Sequence, residues 1–304
     1  MRGMSGIADA MMKAGLLAGV PILAFAQGCM AGERLGACYY KRGDGVEIRY
    51  YGGYPRQNEK RIKVEGADGA TFRLLADTEE KNCGKGALYG ADARNAFFRQ
   101  KAIHEADVGS FRAHQGGYAV DKKSVFYRGE KIPGASPDGF GTVPVPNVPA
   151  FFAVSASGVY FRNEPVKAPV SPESFEALGG RWVRDDKSVY LYNMETPVKG
   201  ADPATFVPLA ASRRDQMNVR YARDKRAVYH IGKGGAVTEL PGAAPSSFRL
   251  LNSNYGKDTE RVYYNGSLVE GAEAASFHIP HPINSHTGYD RHGKYHMGKR
   301  VAPK

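Results

Sequence analysis

One phrase returns along this chain every 29 to 39 residues. A chain built that way folds as stacked copies of a small unit, each too small to bury its own apolar face. The phrase is clearest at Tyr221-Ala-Arg-Asp-Lys-Arg-Ala-Val-Tyr-His230, Asn254–Tyr264, Gly117–Tyr127 and Arg181–Leu191. In each copy an aromatic stands three residues before an Asp, a Val four after it and a second aromatic five after it. Asp92, Asp121, Asp185, Asp224, Asp258 and Asp290 are the anchors, and Ser155 takes the anchor position in one copy. A second landmark closes most units: Gly66-Ala-Asp-Gly-Ala-Thr-Phe72, Gly200-Ala-Asp-Pro-Ala-Thr-Phe206, Gly242-Ala-Ala-Pro-Ser-Ser-Phe248 and Gly271-Ala-Glu-Ala-Ala-Ser-Phe277. Phe111, Phe140 and Phe175 occupy the same position with less of the phrase around them.

The residue types define the unit. Aromatic-x-x-Asp reads as a short strand entering a turn, because an Asp carboxylate bonds its own backbone two residues on. Val-Tyr-Tyr is β-branched and aromatic, the composition of a returning strand. Asn265-Gly266 and Arg128-Gly129 supply the next hairpin turn. Lys131-Ile132 and Leu268-Val269 begin a third strand, which the closing phrase breaks while delivering a Phe to the core. The Phe72 copy implies a degenerate unit upstream, near Tyr50-Tyr51.

This order of features resembles the DKNYY family, a bacterial repeat family, on Asp224-Lys-Arg-Ala-Val-Tyr229, Asp121-Lys-Lys-Ser-Val-Phe-Tyr127 and the Gly-Ala-Asp-Pro-x-Thr-Phe closure. The resemblance implies an exported or envelope-associated protein and transfers no catalytic residue. The expected fold is all-β, an array of seven to eight hairpin-based repeats of about 30–35 residues across 45–300. A β-propeller is the alternative, ranked second because its blades need four strands in about 40–45 residues. Residues 29–44 read as an N-terminal linker. The extended Pro144-Val-Pro-Asn-Val-Pro149 places an inter-repeat linker or lobe break near 141–150.

Residues 1–28 read as a signal peptide. Arg2 and Lys13 precede an uncharged run of 13 residues, Ala14–Ala26, too short for the ~20 residues a membrane span needs and suited to a signal h-region. Two exits follow. Ala24-Phe25-Ala26 is a cleavage site releasing a soluble chain, whereas Phe25–Cys29 is a permissive lipobox that would lipidate Cys29. The chain has three cysteines, odd for an oxidising compartment. Lipid on Cys29 leaves Cys38 and Cys83 to form a disulfide, typically worth roughly 2–4 kcal/mol. The other reading is three unpaired thiols. The expected location is the periplasm, soluble or tethered to the outer membrane.

The formal charge is +11, which favours anionic partners. The cations are scattered singly and in pairs such as Lys122-Lys123, which weighs against nucleic acid. The repeated Asp residues lack the alternate-position oxygen ligands of a calcium loop. His278, His281, His286, His292 and His296 crowd the C-terminal end. His292 and His296 would suit zinc on a helix, yet His296 falls six residues after Asp290, a strand position held elsewhere by aromatics. There is no G-x-S-x-G elbow, P-loop or GxGxxG. Gly232–Gly235 is a turn between strands. His104, the histidine nearest after Cys83, has no supporting motif, and a hydrolase would have only His114, His230 and the C-terminal histidines as bases. The expectation is therefore a non-enzyme without cofactor or metal that binds another protein, one form being an immunity protein against a secreted effector such as a lipase. The alternative is an envelope structural or adhesion protein binding an anionic polymer or lipid surface.

Overall fold

The computed structural model describes residues 33–36, 38–52, 58–75, 89–147, 151–211, 219–281 and 285–302. They form an all-β array of eight antiparallel sheets in chain order, six four-stranded and two three-stranded. Within each sheet the strands follow one another as a meander. The helical pieces among the described residues are three-residue 3₁₀ turns, such as Pro172–Ser174.

Sheets from the second to the seventh carry residues of two sequence units. The second sheet is typical: Arg73–Leu74, Tyr89–Ala91, Ala96–Phe98 and Lys101–Ile103. Its aromatic strand and Val-aromatic strand form the expected hairpin around Asp92. The strand after the closing Phe was missing from the three-strand reading of the unit. It is only two residues long in the second, third and seventh sheets, too short to leave a pattern. That strand pairs with the aromatic strand of the following unit, so the array is stitched at every closing phrase.

The first sheet begins earlier than the linker boundary at residue 44. Glu33–Gly36 and Tyr39–Arg42 are strands, paired with each other and then with Gly45–Gly52. The Arg42–Gly45 turn sits between an aromatic strand and a β-branched one, a hairpin that charged flanks obscured. Residues 141–144, in the Pro-containing stretch, form the first strand of the fourth sheet, pairing with Phe151–Ser155.

Seven hydrophobic clusters are found among the described residues, and each joins two consecutive sheets. Tyr118 and Val125 of the third sheet face the fourth, while Ala119 and Phe126 between them face the second. Strands alternate their side chains, so a sheet packed on both faces reads as a continuous apolar run. The closing Phe residues enter these gaps and lie against the middle residue of the aromatic strand. In three units only glycine fits there: a Cβ on Gly90, Gly256 or Gly288 would stand 2.3 to 2.4 Å from the ring of Phe72, Phe248 or Phe277.

Candidate functional site

The repeated anchors come together with the closing phrases, not with one another. Asp92 Oδ1 accepts the N–H groups of Arg94 and Asn95, each at 2.7 Å, which shapes the hairpin turn. Its Oδ2 accepts the N–H of Asp68, in the preceding closing phrase, at 3.0 Å. Asp121, Asp185, Asp224, Asp258 and Asp290 repeat both halves, with Oδ2 taking the N–H of Asp107, Ser171, Asp202, Ala244 and Glu273. In the Ser155 unit, Ser157 does the second job, its Oγ accepting the Ser136 N–H at 2.7 Å.

The cation after the anchor completes the joint. Lys122, Lys225 and Arg291 pair with Asp107, Asp202 and Glu273 of the closing phrases at 2.7, 2.6 and 2.5 Å. Being solvent-exposed, such pairs add little energy. The anchor carboxylates matter more, because they are buried. Burial pushes the Asp224 and Asp290 carboxyls up, but backbone N–H donors and a tyrosine hydroxyl outweigh it and hold both below the usual carboxylate range.

The aromatic three residues before the anchor bridges to the next sheet. Tyr221 donates its hydroxyl to the Asn254 carbonyl at 3.0 Å and accepts the Gly266 N–H at 3.0 Å. Tyr255 does the same with His286 and Gly298, and Tyr89 with Gly117 and Gly129. Trp182 donates Nε1–H to Val219 at 3.0 Å. The turn being gripped has its first residue at positive φ, as at Arg128, Asn265 and Met297, followed by glycine. That is the geometry hairpin turns of this type require.

Basic residues just before the anchors reach forward too. Arg184 and Arg223 donate to the Pro203 and Pro245 carbonyls of the following closing phrases. Lys257, buried, donates to Ala274 and Phe277.

The histidines do not assemble. Nδ1 of His286 is 2.7 Å from the Tyr264 hydroxyl, and Nδ1 of His296 is 3.2 Å from Oγ1 of Thr287. His296 ends a strand, opposite Thr287. His230 is 2% exposed and lies on Tyr221, ring centroids 4.6 Å apart. Its Nε2 has no hydrogen-bond partner. Burial, with Arg220 nearby, pushes its imidazole down to about 4. No group of three or more His, Cys, Asp or Glu that could hold a metal ion occurs among the described residues.

Cys38 is disulfide-bonded and buried. Cys29, expected to carry lipid, and Cys83, expected to pair with Cys38, lie outside the described residues, as does the signal segment. No helix among the described residues is long and apolar enough to cross a membrane.

Sequence reasoning passed over a cavity of about 460 Å³ where the first strands of the fifth, sixth and seventh sheets meet. Arg223 and Arg249 are in its wall.

Eight stacked meanders joined by Asp-Lys turns, bridging tyrosines and closing phenylalanines define an all-β repeat protein. A family model described as the DKNYY family matches residues 89–233 and again 152–299, and the chain belongs to that family. No curated protein and no solved structure matches the chain.

Proposed function

We propose that the chain is an exported, non-catalytic binding protein of the bacterial envelope, periplasmic or tethered to the outer membrane through Cys29, whose array recognises another protein. The observation that carries this reading is a division of labour. The recurring polar groups (anchor Asp, turn Lys, bridging Tyr) are spent on holding consecutive sheets together. The connections between first and second strands are free to differ, from two residues at 180–181 to fourteen at 75–88. Rigid repeats with variable connections are how extended scaffolds present binding surfaces. The more specific form is an immunity protein neutralising a secreted antibacterial effector such as a lipase. Export, a candidate lipid site and a scaffold of structural side chains support it.

Affinity capture from the native envelope, with intact-mass analysis of the purified chain, tests this. A stoichiometric protein partner together with lipid mass on Cys29 is the expected result. Capture of the chain alone, starting at Gln27, removes the tethered-binder reading. Deleting the gene should leave cells sensitive to attack by sister cells, and full resistance removes the immunity form.

The net charge of +11 favours a second reading, an envelope structural or adhesion protein on an anionic polymer or lipid surface. Such binding would weaken steeply with salt, whereas a packed protein interface would depend on it less.

A further inference from the structure

In a meander, the connection between the first two strands and the turn between the last two lie at the same end of the sheet, with the anchor turn at the other. The two ends use their charges differently. At the anchor end, Lys122, Lys225 and Arg291 are neutralised by Asp107, Asp202 and Glu273 of the closing phrases. At the opposite end, the turn after the Val-aromatic strand carries Arg99, Arg128 and Arg162 in the second, third and fourth sheets. Lys101 and Lys131 follow the first two of these, and Lys131 meets Glu105 at 3.9 Å. Glu130 and Glu164 stand two residues after Arg128 and Arg162 and pair with neither.

These arginines occupy a position that the backbone reserves for other residues. Their φ values are 55°, 51° and 64°, in the left-handed region. A long side chain there is strained, whereas Asn and Gly enter that region readily. The seventh sheet has Asn265 at the same place, with φ 46°. Three consecutive sheets therefore hold an arginine where the turn itself favours asparagine, and strain held in a well-fixed turn points to use beyond folding.

Each turn is gripped by the sheet before it. The Arg99 carbonyl accepts the Tyr39 hydroxyl at 3.0 Å. The N–H groups of Gly129 and Arg162 donate to the Tyr89 and Tyr118 hydroxyls at 3.1 and 2.6 Å. Arg128 and Arg162 are exposed, and their guanidinium carbons lie 5.5 and 5.4 Å from the ring centroids of Tyr127 and Phe161. Neither side chain has an ion pair or a hydrogen bond among the described residues, so both N–H forks are open to a ligand. Stacked sheets stand about 10 Å apart, which sets the interval between the turns.

We propose that this row of turns, with Arg128 and Arg162 at its centre, docks an extended acidic segment of a partner protein whose carboxylates recur about every third residue. Three residues of extended chain span about 10 Å, the sheet spacing, and each guanidinium fork matches one carboxylate. Glu130 and Glu164 beside the row oppose a uniformly anionic lipid surface, whereas a segment with spaced carboxylates steps past them. The inference rests on the partner-binding reading and gives that reading a surface and a partner chemistry. The variable connections between first and second strands lie at this same end of the sheets.

The test is calorimetric titration of the full chain with a Glu-Pro-Pro repeat peptide, whose polyproline helix repeats every third residue. A peptide of the same composition with its glutamates in one block is the comparison. Saturable binding, tighter for the spaced peptide, is expected. Arg128→Asn together with Arg162→Asn should weaken it about tenfold or more. The melting temperature of that variant should stay equal or rise, whereas a purely structural role for the arginines would lower it. Lys123→Asn together with Lys187→Asn removes the same charge from the anchor end and should leave the affinity intact. No saturable binding, equal affinity for the two peptides, or equal weakening by the lysine variant would overturn the proposal. Binding of phosphatidylglycerol vesicles and not of the peptide, through the same arginines, would overturn it in favour of a lipid surface. If the arginine variant still captures the partner that the parent captures from the envelope, this surface is wrong and the partner-binding reading stands. If the parent captures none, both fall.

Discussion

Asp224 accepts four hydrogen bonds: Arg226 and Ala227 N–H on Oδ1, Asp202 N–H and the Tyr229 hydroxyl on Oδ2. Removing it strands buried donors, so Asp224→Ala should cost about 2–4 kcal/mol, and Asp224→Asn less because Oδ1 survives. Urea unfolding of both variants checks the order, and equal costs would mean that only the turn half matters. Because the folded carboxyl titrates below its ordinary value, this stability is present above the unfolded value near 3.9 and is lost as pH falls through the folded one. His230 is destabilising for a different reason. The slot it fills holds Phe98 in the second sheet, under Gly129, and Tyr264 in the seventh, under Gly298. His230 lies under Gly266 in the same way, with a buried nitrogen and no partner. His230→Phe should therefore raise stability by about 1 kcal/mol near neutral pH. The sign of its pH dependence follows from the neutral ring being favoured in the fold. Stability is full above 6.5 and is lost between 6.5 and about 4. Melting curves across that window should fall less steeply for His230→Phe than for the parent, and parallel curves would show that another group titrates.

At the level of the element, the closing phrase couples a turn, a buried ring and the next strand. Gly256→Ala would place a methyl 2.4 Å from Cζ of Phe248. Overpacking of this kind costs about 1–3 kcal/mol. Phe248→Leu in the same chain should recover part of that loss, and no recovery would place the strain in the backbone. The hairpins, turns and buried phenylalanines were legible because each rests on residue types with a local mechanism: Asp in the turn, Val-aromatic in the strand, Asn-Gly at positive φ. The two-residue strands after Phe72, Phe111 and Phe248 were not. Two residues cannot display an alternation, and their pairing is fixed by a hairpin in the next unit. The joints were half legible. Asp at the turn was read as bonding its own backbone, which is true of Oδ1. The bond from Oδ2 to a phrase 14 to 24 residues earlier leaves no mark in a local window. The cavity was invisible for the same reason, since Arg223 and Arg249 belong to different sheets.

Across the whole molecule, stability is a chain of nearest-neighbour terms, since every cluster and every bridging tyrosine spans one gap. Tyr221→Phe deletes one hydroxyl that bonds the sixth sheet to both a carbonyl and an N–H of the seventh, and should cost about 1–2 kcal/mol. The effect should be polarised. Amide exchange should speed up in the seventh and eighth sheets and hardly change in the first four, whereas uniform acceleration would show that the array unfolds as one unit. The two family matches begin at 89 and 152, 63 residues apart, as are Asp92 and Ser155. The pattern thus registers again after sliding by two units. Most units carry their own half of two joints: an aromatic that reaches forward, tyrosine at Tyr89, Tyr118, Tyr221 and Tyr255, and a hairpin turn that is reached from behind. A gene encoding such a chain can gain or lose whole units by duplication and deletion with little redesign of the rest, because the joints recur from unit to unit. Lineages of such proteins are expected to differ more in the number of units than in the chemistry that joins them.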